Sequence, residues 1–296
     1  MQRYLKSNES ISVATVQQVQ QLIRQNIRDA YPEPEAGAIA QLVLEHVLQK
    51  SRMQLRLQQQ EVVSSAQEAQ VQEAIARLQQ QEPVQYVLGA AHFYGLELQV
   101  DERVLIPRPE TEELVDLVLK EHKGKQGLQV LDICTGSGCI PLALAANLSA
   151  AKAYGLEVSA GALEVAKANA EKYKLPVGWL QQDIFEPVQS IADGSLDIIT
   201  SNPPYVLEEE KQLMRPNVLQ YEPHLALFVP DTDALKYYIR ITAVAKELLK
   251  EKGKLYFEIN ERYGKQVQAG LLEAGFTEAA VVQDLFGKDR MVRAVK

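Results

Sequence analysis

The chain has 296 residues, which at roughly 150 residues per domain is enough for about two domains. Hydrophobic residues make up 46% of the sequence and charged residues 24%, a balance that favours a soluble globular protein over a disordered one. The 39 acidic residues outnumber the 31 basic ones, so the formal net charge is −8 at pH 7. This charge argues against a protein that grips duplex nucleic acid, although a local basic patch is compatible with it.

The sequence shows no signal for a membrane span, for export or for a metal site. The longest apolar candidate, residues 142–156, is interrupted by three polar residues and falls short of the roughly 18 apolar residues that a membrane helix needs. Residues 1–10 lack the apolar segment of a signal peptide. The two cysteines, Cys134 and Cys139, provide neither a disulfide framework nor a set of metal ligands. We therefore expect a cytoplasmic monomer that holds no metal and contacts no membrane.

Residues 1–82 are rich in glutamine and contain one glycine, Gly37, of the 16 in the chain. Apolar residues recur there at helical spacing, which predicts a small all-helical domain of four or five helices. We interpret the glutamine runs 58–60 and 79–81 as solvated helix faces. The apolar positions are Val16, Val19, Ile23, Ile27, Ile39, Leu42, Val43, Val47, Ala69, Ile75 and Leu78. Next, residues 83–101 carry tyrosine, valine and phenylalanine around Gly89 and Gly95, which predicts a β-hairpin or short extended linker.

From residue 102 onward the sequence alternates between strand, turn and helix. This alternation indicates a parallel sheet covered on both faces, a doubly wound α/β fold. The last two strands are separated only by residues 284–290, which is too short for a helical crossover, so this pair should be antiparallel. The predicted strands are 129–133, 153–157, 177–181, 196–201, 255–259, 277–282 and 291–295. The predicted helices include 139–147, 162–173, 234–250 and 265–274.

The first strand of this segment runs into a glycine turn, Cys134-Thr135-Gly136-Ser137-Gly138, and then into a helix. Glycines at such a turn let the backbone approach a ligand and adopt positive φ. The second strand ends at Glu157, about 20 residues after the turn, where an acidic side chain can accept hydrogen bonds from a ribose diol. The sequence therefore predicts a nucleoside cofactor at this turn.

Three further positions narrow the choice of cofactor. Pro141 stands where a dinucleotide fingerprint has its third glycine, which argues against a pyrophosphate-binding turn. Asp132 suits a cationic ligand such as the sulfonium and ammonium groups of S-adenosylmethionine. Asp183, which follows the third strand, is placed to accept from an adenine amino group. These positions favour S-adenosylmethionine over a turn that only shapes the fold.

The fourth strand ends in Asn202-Pro203-Pro204-Tyr205, at the edge of the sheet where ligands bind in open α/β folds. This tetrapeptide is a specific signal for methyl transfer to a planar nitrogen, whose delocalised lone pair is barely nucleophilic. We expect the Asn202 side-chain oxygen and the Pro203 carbonyl to accept both N–H bonds of an acceptor NH₂ group, which directs the lone pair at the methyl. The prolines stiffen the loop, and Tyr205 can stack on the flat acceptor.

With these motifs the sequence resembles the release-factor glutamine methyltransferases, the PrmC/HemK family, over nearly the whole chain. Asn-Pro-Pro-Tyr alone is shared with DNA adenine methyltransferases, so the Arg-Pro-Glu-Thr-Glu stretch and the terminal stretch discriminate. The stretches that carry the resemblance are Pro83-x-Gln-Tyr-x-x-Gly89, Phe93-x-Gly95, Leu105-Ile-Pro-Arg108-Pro-Glu-Thr-Glu112, the Asp132 turn, Asn202-Pro-Pro-Tyr205, Tyr221-Glu-Pro223 and Asp284-Leu-Phe-Gly-Lys-Asp-Arg290.

The resemblance implies a Rossmann-like class I methyltransferase sheet with an antiparallel last strand, preceded by a small all-helical domain. It implies transfer of a methyl group from S-adenosylmethionine to the side-chain amide nitrogen (N5) of the glutamine in the Gly-Gly-Gln motif of class 1 peptide-chain release factors. It also implies three segments: 1–82 for substrate recognition, 83–101 as a hairpin linker and 102–296 for methyl transfer.

The residues and the resemblance together give a candidate site. Asn202, Pro203 and Tyr205 are the catalytic candidates, and with Pro204 they form the candidate substrate site. An ordinary helix start would explain Thr111 as well as a cofactor contact does. The cofactor-binding candidates are Arg108, Pro109, Thr111, Asp132, Cys134, Thr135, Gly136, Ser137, Gly138, Glu157, Asp183, Ile184 and Asn202.

The sequence departs from the family pattern at two positions of the candidate site, and it leaves two other functions open. Cys134 stands where the family turn has glycine, and Ile184 where many members carry an aromatic residue, so backbone approach and stacking are less certain there. A nucleic-acid adenine N6-methyltransferase would need a basic target-recognition segment. The net negative charge and the glutamine-rich helical domain argue against this function. A module that holds S-adenosylmethionine without catalysis would not need the intact Asn202–Tyr205 motif.

Overall fold

The computed structural model describes residues 14–296 and divides the chain into two compact units between Leu88 and Gly89. Residues 1–13 include the stretch that was expected not to be a signal peptide, and they lie outside the described residues. Within the described range, no helix combines the length and the apolar character needed to cross a bilayer.

The described part of the first unit forms five helices, and most of the predicted apolar positions build its core. Leu42 and Ala69 are exposed instead, and Val47 is half-buried. The glutamines at 58–60 are all exposed, but they lie in the turn after Leu57 and not on a helix face as predicted, and in the second run Gln81 is half-buried. The helices are α1 (Val16–Ile27), α2 (Glu33–Leu48), α3 (Arg52–Leu57), α4 (Ser65–Gln79) and α5 (Val84–Leu88).

Glutamine has a specific use at the helix starts of this unit. α1, α3 and α4 each begin with a capping box, in which a serine or threonine and a glutamine three residues later bond to each other's backbone N–H. At α1, the Gln18 N–H donates to Thr15 Oγ1 (3.3 Å) and the Thr15 N–H donates to Gln18 Oε1 (2.8 Å). Local capping therefore accounts for part of the glutamine enrichment.

The observed division lies six residues beyond the predicted boundary at residue 82. Residues 83–88 contribute α5 to the helical unit because Arg77 of α4 donates to the carbonyls of Tyr86 and Val87, both at 3.0 Å. The predicted hairpin is present only in the second half of the segment 83–101, as β1 (Ala90–Phe93) paired antiparallel with β2 (Leu96–Gln99). This hairpin belongs to the second unit.

The second unit carries the alternation of strands and helices that the sequence predicts. Its longer elements are α6 (Pro109–Glu121), β3 (Gln129–Ile133), α7 (Cys139–Asn147), β4 (Lys152–Glu157), α8 (Ala160–Tyr173), β5 (Val177–Gln181), β6 (Leu196–Ser201), α10 (Lys236–Leu248), β9 (Leu249–Glu258), α11 (Gly264–Glu273), β10 (Glu278–Gln283) and β11 (Asp289–Val295). Between β6 and α10 lie β7 (Val206–Leu207), α9 (Pro216–Tyr221), β8 (Phe228–Val229) and three short 3₁₀ helices.

Seven strands form one sheet in the order β10-β11-β9-β6-β3-β4-β5. The pairs β5/β4, β4/β3, β3/β6 and β6/β9 are parallel, whereas β11 is antiparallel to both β9 and β10. The predicted α/β sheet with an antiparallel last strand is therefore confirmed. Because the chain moves outward from β3 to β5 and then returns to the other side of β3, the strand order reverses between β3 and β6, where ligands bind in open sheets.

Two features of this unit were not predicted. β9 begins at Leu249 rather than at residue 255, because α10 ends at Leu248 and the chain continues directly as an extended strand. The segment between β6 and α10 contains short elements whose residues show no clear periodicity.

The turn after β3 packs tightly on the only tryptophan of the chain, Trp179 of β5. A Cβ atom at Gly155 would lie 2.6 Å from the Trp179 ring, and one at Gly138 would lie 2.8 Å from it. These two positions therefore need glycine because an aromatic ring occupies the space next to them.

We expect Gly155→Ala to lower the free energy of unfolding by about 1–3 kcal/mol, because the added methyl overpacks the contact with Trp179. Urea denaturation followed by the fluorescence of Trp179 measures the change directly in this unit. Gly270→Ala in α11 is the matched control, since nothing lies within 4 Å of its Cβ position. Equal stability of Gly155→Ala and the wild type would contradict the packing argument.

A buried carboxylate, Asp132 of β3, joins the turn to the neighbouring strand. It is fully buried and accepts hydrogen bonds from the hydroxyls of Thr135 (2.6 Å) and Thr200 of β6 (2.7 Å). Burial raises the pKa of Asp132 to about 7, with a smaller contribution from the nearby Glu157, while the two hydroxyl donors oppose the shift.

The raised pKa of Asp132 predicts a specific pH dependence of stability. Between about pH 4 and pH 7 the folded protein keeps a proton on Asp132 that the unfolded chain has released, so the contribution of Asp132 to the free energy of unfolding decreases as the pH rises. The full effect is of the order of 4 kcal/mol. We expect Asp132→Asn to show a flatter pH profile than the wild type in urea denaturation. The exposed Asp193→Asn is the control, and parallel profiles for Asp132→Asn and the wild type would refute this prediction.

Candidate active site

A cavity of about 300 Å³ lies at the carboxyl edge of the sheet in the second unit, a size that suits a small-molecule site. Its walls come from the ends of β3, β4, β5 and β6, from the segment before α6 and from the start of α10. Of the predicted site residues, the structure brings eleven to this cavity: Arg108, Thr111, Cys134, Thr135, Gly136, Ser137, Glu157, Asp183, Ile184, Asn202 and Pro204.

Five predicted residues lie outside the cavity wall, and four of them, all but Pro203, have a structural explanation. Asp132 is buried below the turn, where its two oxygens already accept the threonine hydroxyls. Gly138 is the N-cap of α7 and fits against Trp179. Pro109 is the exposed first residue of α6, a position that favours proline. Pro203 and Tyr205 belong to the loop after β6, described below.

The glycine turn runs through three positive φ angles, at Cys134 (62°), Gly136 (53°) and Gly138 (79°). Nothing lies within 4 Å of the Cβ position of Gly136, so this residue offers open space along the cavity. Cys134 adopts the left-handed conformation with a side chain, which costs about 1 kcal/mol or more relative to glycine. The turn therefore adopts at Cys134 a backbone conformation that glycine would adopt without strain.

Two carboxylates on the cavity wall are held by backbone donors. Glu157 accepts from the N–H of Gly136 through Oε2 and from the N–H of Ser159 through Oε1, both at 3.0 Å. Asp183 accepts from the N–H of Phe185 at 2.9 Å. Each carboxylate oxygen has a second lone pair, so both side chains can still accept bonds from a ligand's hydroxyl or amino groups.

An aromatic pair at the same end of the cavity was missed by the sequence analysis. The rings of Phe185 and Tyr237 have centroids 5.2 Å apart, and Lys236 Nζ lies 5.2 Å and 5.0 Å from their centroids. Ile184 is buried beside them and also lines the cavity. Position 184, where the sequence analysis noted isoleucine in place of an aromatic residue, is therefore followed directly by the aromatic Phe185. Tyr237, from the start of α10, provides a second aromatic ring.

The segment before α6 is anchored by a buried acid that the sequence analysis did not assign. Glu222 is 3% exposed and accepts from Arg108 Nη2 (2.6 Å) and from the N–H of Ile106 (3.2 Å). The Arg-Pro-Glu-Thr-Glu stretch and the Tyr-Glu-Pro stretch are therefore in direct contact. The N-cap residue of α6 is Arg108, and its side chain makes no capping hydrogen bond. The Thr111 hydroxyl donates to Glu258, so Thr111 does not act as a helix cap either.

The loop after β6 meets α6 and β9 through side-chain hydrogen bonds. Asn202 Nδ2 donates to Thr111 Oγ1 at 3.3 Å, and the Tyr205 hydroxyl donates to Glu258 Oε1 at 2.9 Å. Burial and the adjacent Glu258 raise the pKa of Tyr205 well above its usual value, so its hydroxyl stays protonated. With its hydroxyl tied to Glu258, Tyr205 packs on the core and does not line the cavity.

The cysteines show no sign of reactive chemistry. Cys134 and Cys139 are free thiols, and burial raises the pKa of Cys139 to about 12 and that of Cys134 well above its usual value. Protonated thiols are poor nucleophiles and poor metal ligands. Across residues 14–296, no three His, Cys, Asp or Glu side chains are grouped as ligands for a metal ion.

Each of the two units contains a segment that matches a known protein family. Residues 18–89 match the PrmC N-terminal domain, and residues 111–220 match the methyltransferase small domain. Among solved structures, a methyltransferase from Pyrococcus furiosus has a TM-score of 0.51 with 18% identity, covering 79% of this chain and 99% of that one. The hMettl16 catalytic domain has a TM-score of 0.53 with 16% identity, covering 80% of this chain and 84% of that one. At these identities the two structures show a shared fold alone.

Sequence relatives are much closer. The release factor glutamine methyltransferase of Bacteroides thetaiotaomicron is 43% identical over 272 residues, which cover 92% of this chain and 97% of the relative. The protein of the same name from Flavobacterium psychrophilum is 39% identical, covering 91% of this chain and 95% of the relative. The chain therefore belongs to the family of release factor glutamine methyltransferases.

Proposed function

We propose that this protein transfers a methyl group from S-adenosylmethionine to the N5 amide nitrogen of the glutamine in the Gly-Gly-Gln motif of class 1 release factors. Family membership supports the reaction class. The observation that carries the proposal is one cavity lined both by the carboxylates Glu157 and Asp183 and by Asn202 and Pro204 of the loop after β6. This arrangement supports a nucleoside site next to an amide site, as methyl transfer requires.

The cavity fits S-adenosylmethionine by the chemistry of its donors and acceptors. Glu157 can accept from the ribose hydroxyls, Asp183 from the adenine amino group, and Phe185 with Tyr237 can pack on the adenine ring. The open space at Gly136 leaves room for the ligand against the backbone, and the buried Ser137 hydroxyl has no hydrogen-bond partner among the described residues. Arg108, Thr111, Cys134, Thr135 and Ile184 complete the proposed cofactor wall.

When bound, S-adenosylmethionine supplies a methyl group on a positively charged sulfur, an electrophile that reacts by in-line displacement. The protein must make the glutamine amide nitrogen a nucleophile, because its lone pair is delocalised into the carbonyl. The Asn202 carboxamide oxygen and the Pro203 carbonyl can accept the two N–H bonds of the acceptor, which holds the nitrogen in place and stabilises its developing positive charge.

With S-adenosylmethionine bound, the amide nitrogen would take the methyl group through its lone pair, and the sulfur would keep the electron pair of the broken C–S bond, so no further reactant would be needed. The alkylated amide nitrogen is strongly acidic and loses one of its protons to water. A dedicated general base is not required, and the buried thiols and carboxylates described above need not act as one.

The N-terminal helical unit is proposed to recognise the release factor. We also propose that the protein acts as a cytoplasmic monomer, in which both cysteines remain reduced. Methylation of adenine in nucleic acid is the alternative outcome of the assay below.

We expect wild-type protein given labelled S-adenosylmethionine and a class 1 release factor to label the Gly-Gly-Gln glutamine. Asn202→Ala should lower the rate at least about 100-fold, because it removes one of the two acceptors that orient the amide. Mass spectrometry locates the label, and a parallel reaction contains adenine-bearing DNA instead of the release factor.

The control for this assay is Asn147→Ala, an exposed asparagine at the end of α7, which should keep the wild-type rate. Label on DNA, or an undiminished rate in Asn202→Ala, would overturn the proposed function.

We expect Glu157→Gln to raise the Kd of S-adenosylmethionine about tenfold or more, since the hydrogen bonds from the ribose would lose a charged acceptor. Isothermal titration calorimetry on the protein without release factor measures this affinity. Glu186→Gln, which changes an exposed carboxylate outside the cavity wall, is the control. An unchanged Kd for Glu157→Gln would show that the cofactor does not use Glu157.

A further inference from the structure

A buried carboxylate lies behind the proposed acceptor site. Glu258, the last residue of β9, is 1% exposed and does not line the cavity. Its Oε2 accepts from the Thr111 hydroxyl at 2.6 Å, and its Oε1 accepts from the Tyr205 hydroxyl at 2.9 Å. One carboxylate therefore links α6, on which Thr111 lies, to the loop that carries Asn202.

The single proton of the Thr111 hydroxyl fixes which group donates and which accepts in these hydrogen bonds. A threonine hydroxyl has one proton, and at Thr111 that proton goes to Glu258. Toward Asn202, Thr111 Oγ1 can then act only as an acceptor, so the Asn202 group that faces it must be the NH₂ group, at 3.3 Å. The reverse orientation would place the Asn202 oxygen against a second acceptor and lose the bond.

Fixing the NH₂ group also fixes the oxygen, because both are attached to the same planar carbon. Asn202 Oδ1 is held on the side away from Thr111, where it is available to accept an N–H bond from an acceptor amide. A carboxamide free to flip would present its NH₂ group to that acceptor for part of the time, and two N–H groups repel each other.

Two hydroxyl donors and a positive charge surround Glu258. Burial raises the pKa of Glu258 above its usual value, Glu110 adds a small upward contribution, and the hydroxyls of Thr111 and Tyr205 together with the positive charge of Arg290 offset only part of this shift. Arg290 is held by Asp284, whose Oδ2 lies 3.2 Å from Arg290 Nε. The terminal stretch of the family pattern, Asp284 to Arg290, thus has a structural link to the acceptor site.

We propose that Glu258 is a positioning residue that, through the Thr111 hydroxyl, sets the orientation of the Asn202 carboxamide toward the acceptor amide. This proposal rests on the proposed function of Asn202. Glu258 itself contacts neither substrate nor cofactor, because it lies outside the cavity wall.

Two substitutions interrupt the connection at different places. Glu258→Met keeps the approximate size of the side chain but removes the acceptor, so the Thr111 hydroxyl can turn its proton toward Asn202. Thr111→Val removes the hydroxyl and keeps the shape. For either variant we expect kcat for release-factor methylation to fall about 10- to 100-fold. The Kd of S-adenosylmethionine should stay within about twofold for Glu258→Met.

A merely structural role predicts a different pattern from a positioning role. If Glu258 and Thr111 act only through Asn202, neither substitution should lower kcat further in an Asn202→Ala background. Thr111→Ser should recover most of the kcat lost in Thr111→Val, because it restores the hydroxyl. Thr242→Val, at a buried threonine of α10 outside the cavity, is the matched control and should keep the wild-type kcat. Additive losses in the Asn202→Ala background would refute the proposal.

A second measurement needs no methyl acceptor and so separates this proposal from the proposed function. In protein labelled with ¹⁵N-asparagine, the side-chain NH₂ resonances of Asn202 are identified by their absence in Asn202→Ala. We expect nuclear Overhauser effects from these NH₂ protons to side-chain protons of Thr111 in the wild type, and weaker ones in Glu258→Met. Undiminished effects in Glu258→Met would overturn the proposed orientation of Asn202. Failure of the wild type to methylate a release factor would instead overturn the proposed function, and with it the role of this orientation toward an acceptor amide.

Discussion

The candidate site depends on the parallel pairing of β3 with β6. In this pairing Ile133 is opposite Ser201, so the next residues of the two strands, Cys134 and Asn202, leave the sheet side by side. Side chains fix the register, since Ser201 Oγ donates to the Ile133 carbonyl at 2.7 Å and Thr200 donates to Asp132 at the same distance. Because side chains in a strand alternate between faces, a slip of one residue would move these hydroxyls to the wrong face and separate the glycine turn from the Asn-Pro-Pro-Tyr loop.

Two buried carboxylates, Asp132 and Glu258, each connect two segments of the chain near the site. Asp132 holds the turn to β6 by accepting two threonine hydroxyls, and Glu258 holds α6 to the loop after β6 by accepting those of Thr111 and Tyr205. Burial raises the pKa of both groups, and the two hydroxyl donors of each oppose this shift. Hydroxyls are suited to this use because a single proton gives each hydrogen bond a direction. Asp132 and Glu258 can thereby orient neighbouring polar groups from positions outside the cavity wall.

Sequence analysis predicted most of the sheet and a large part of the site because both follow local patterns. The bounds of β3, α7, β5 and β6 agree with the predicted ones because each ends at a turn or a motif that interrupts its apolar run. Two of the side chains that were missed reach the site over long sequence distances: Tyr237 comes from the start of α10 and Glu258 from the end of β9. A lone acidic residue in the apolar run 255–259 was the one available signal for Glu258. Tyr205 and Gly138 illustrate the opposite case, in which a motif position is occupied for packing rather than for lining the cavity.

The glutamine caps of the helical unit have a consequence for its behaviour in different solutions. In the described part of that unit, three of the five helices begin at boxes made of hydroxyl and carboxamide groups, none of which titrates in the physiological range. Acidic residues at the same positions would lose part of their effect when protonated or when screened by salt. Neutral caps therefore keep these three helix starts insensitive to acidity and ionic strength.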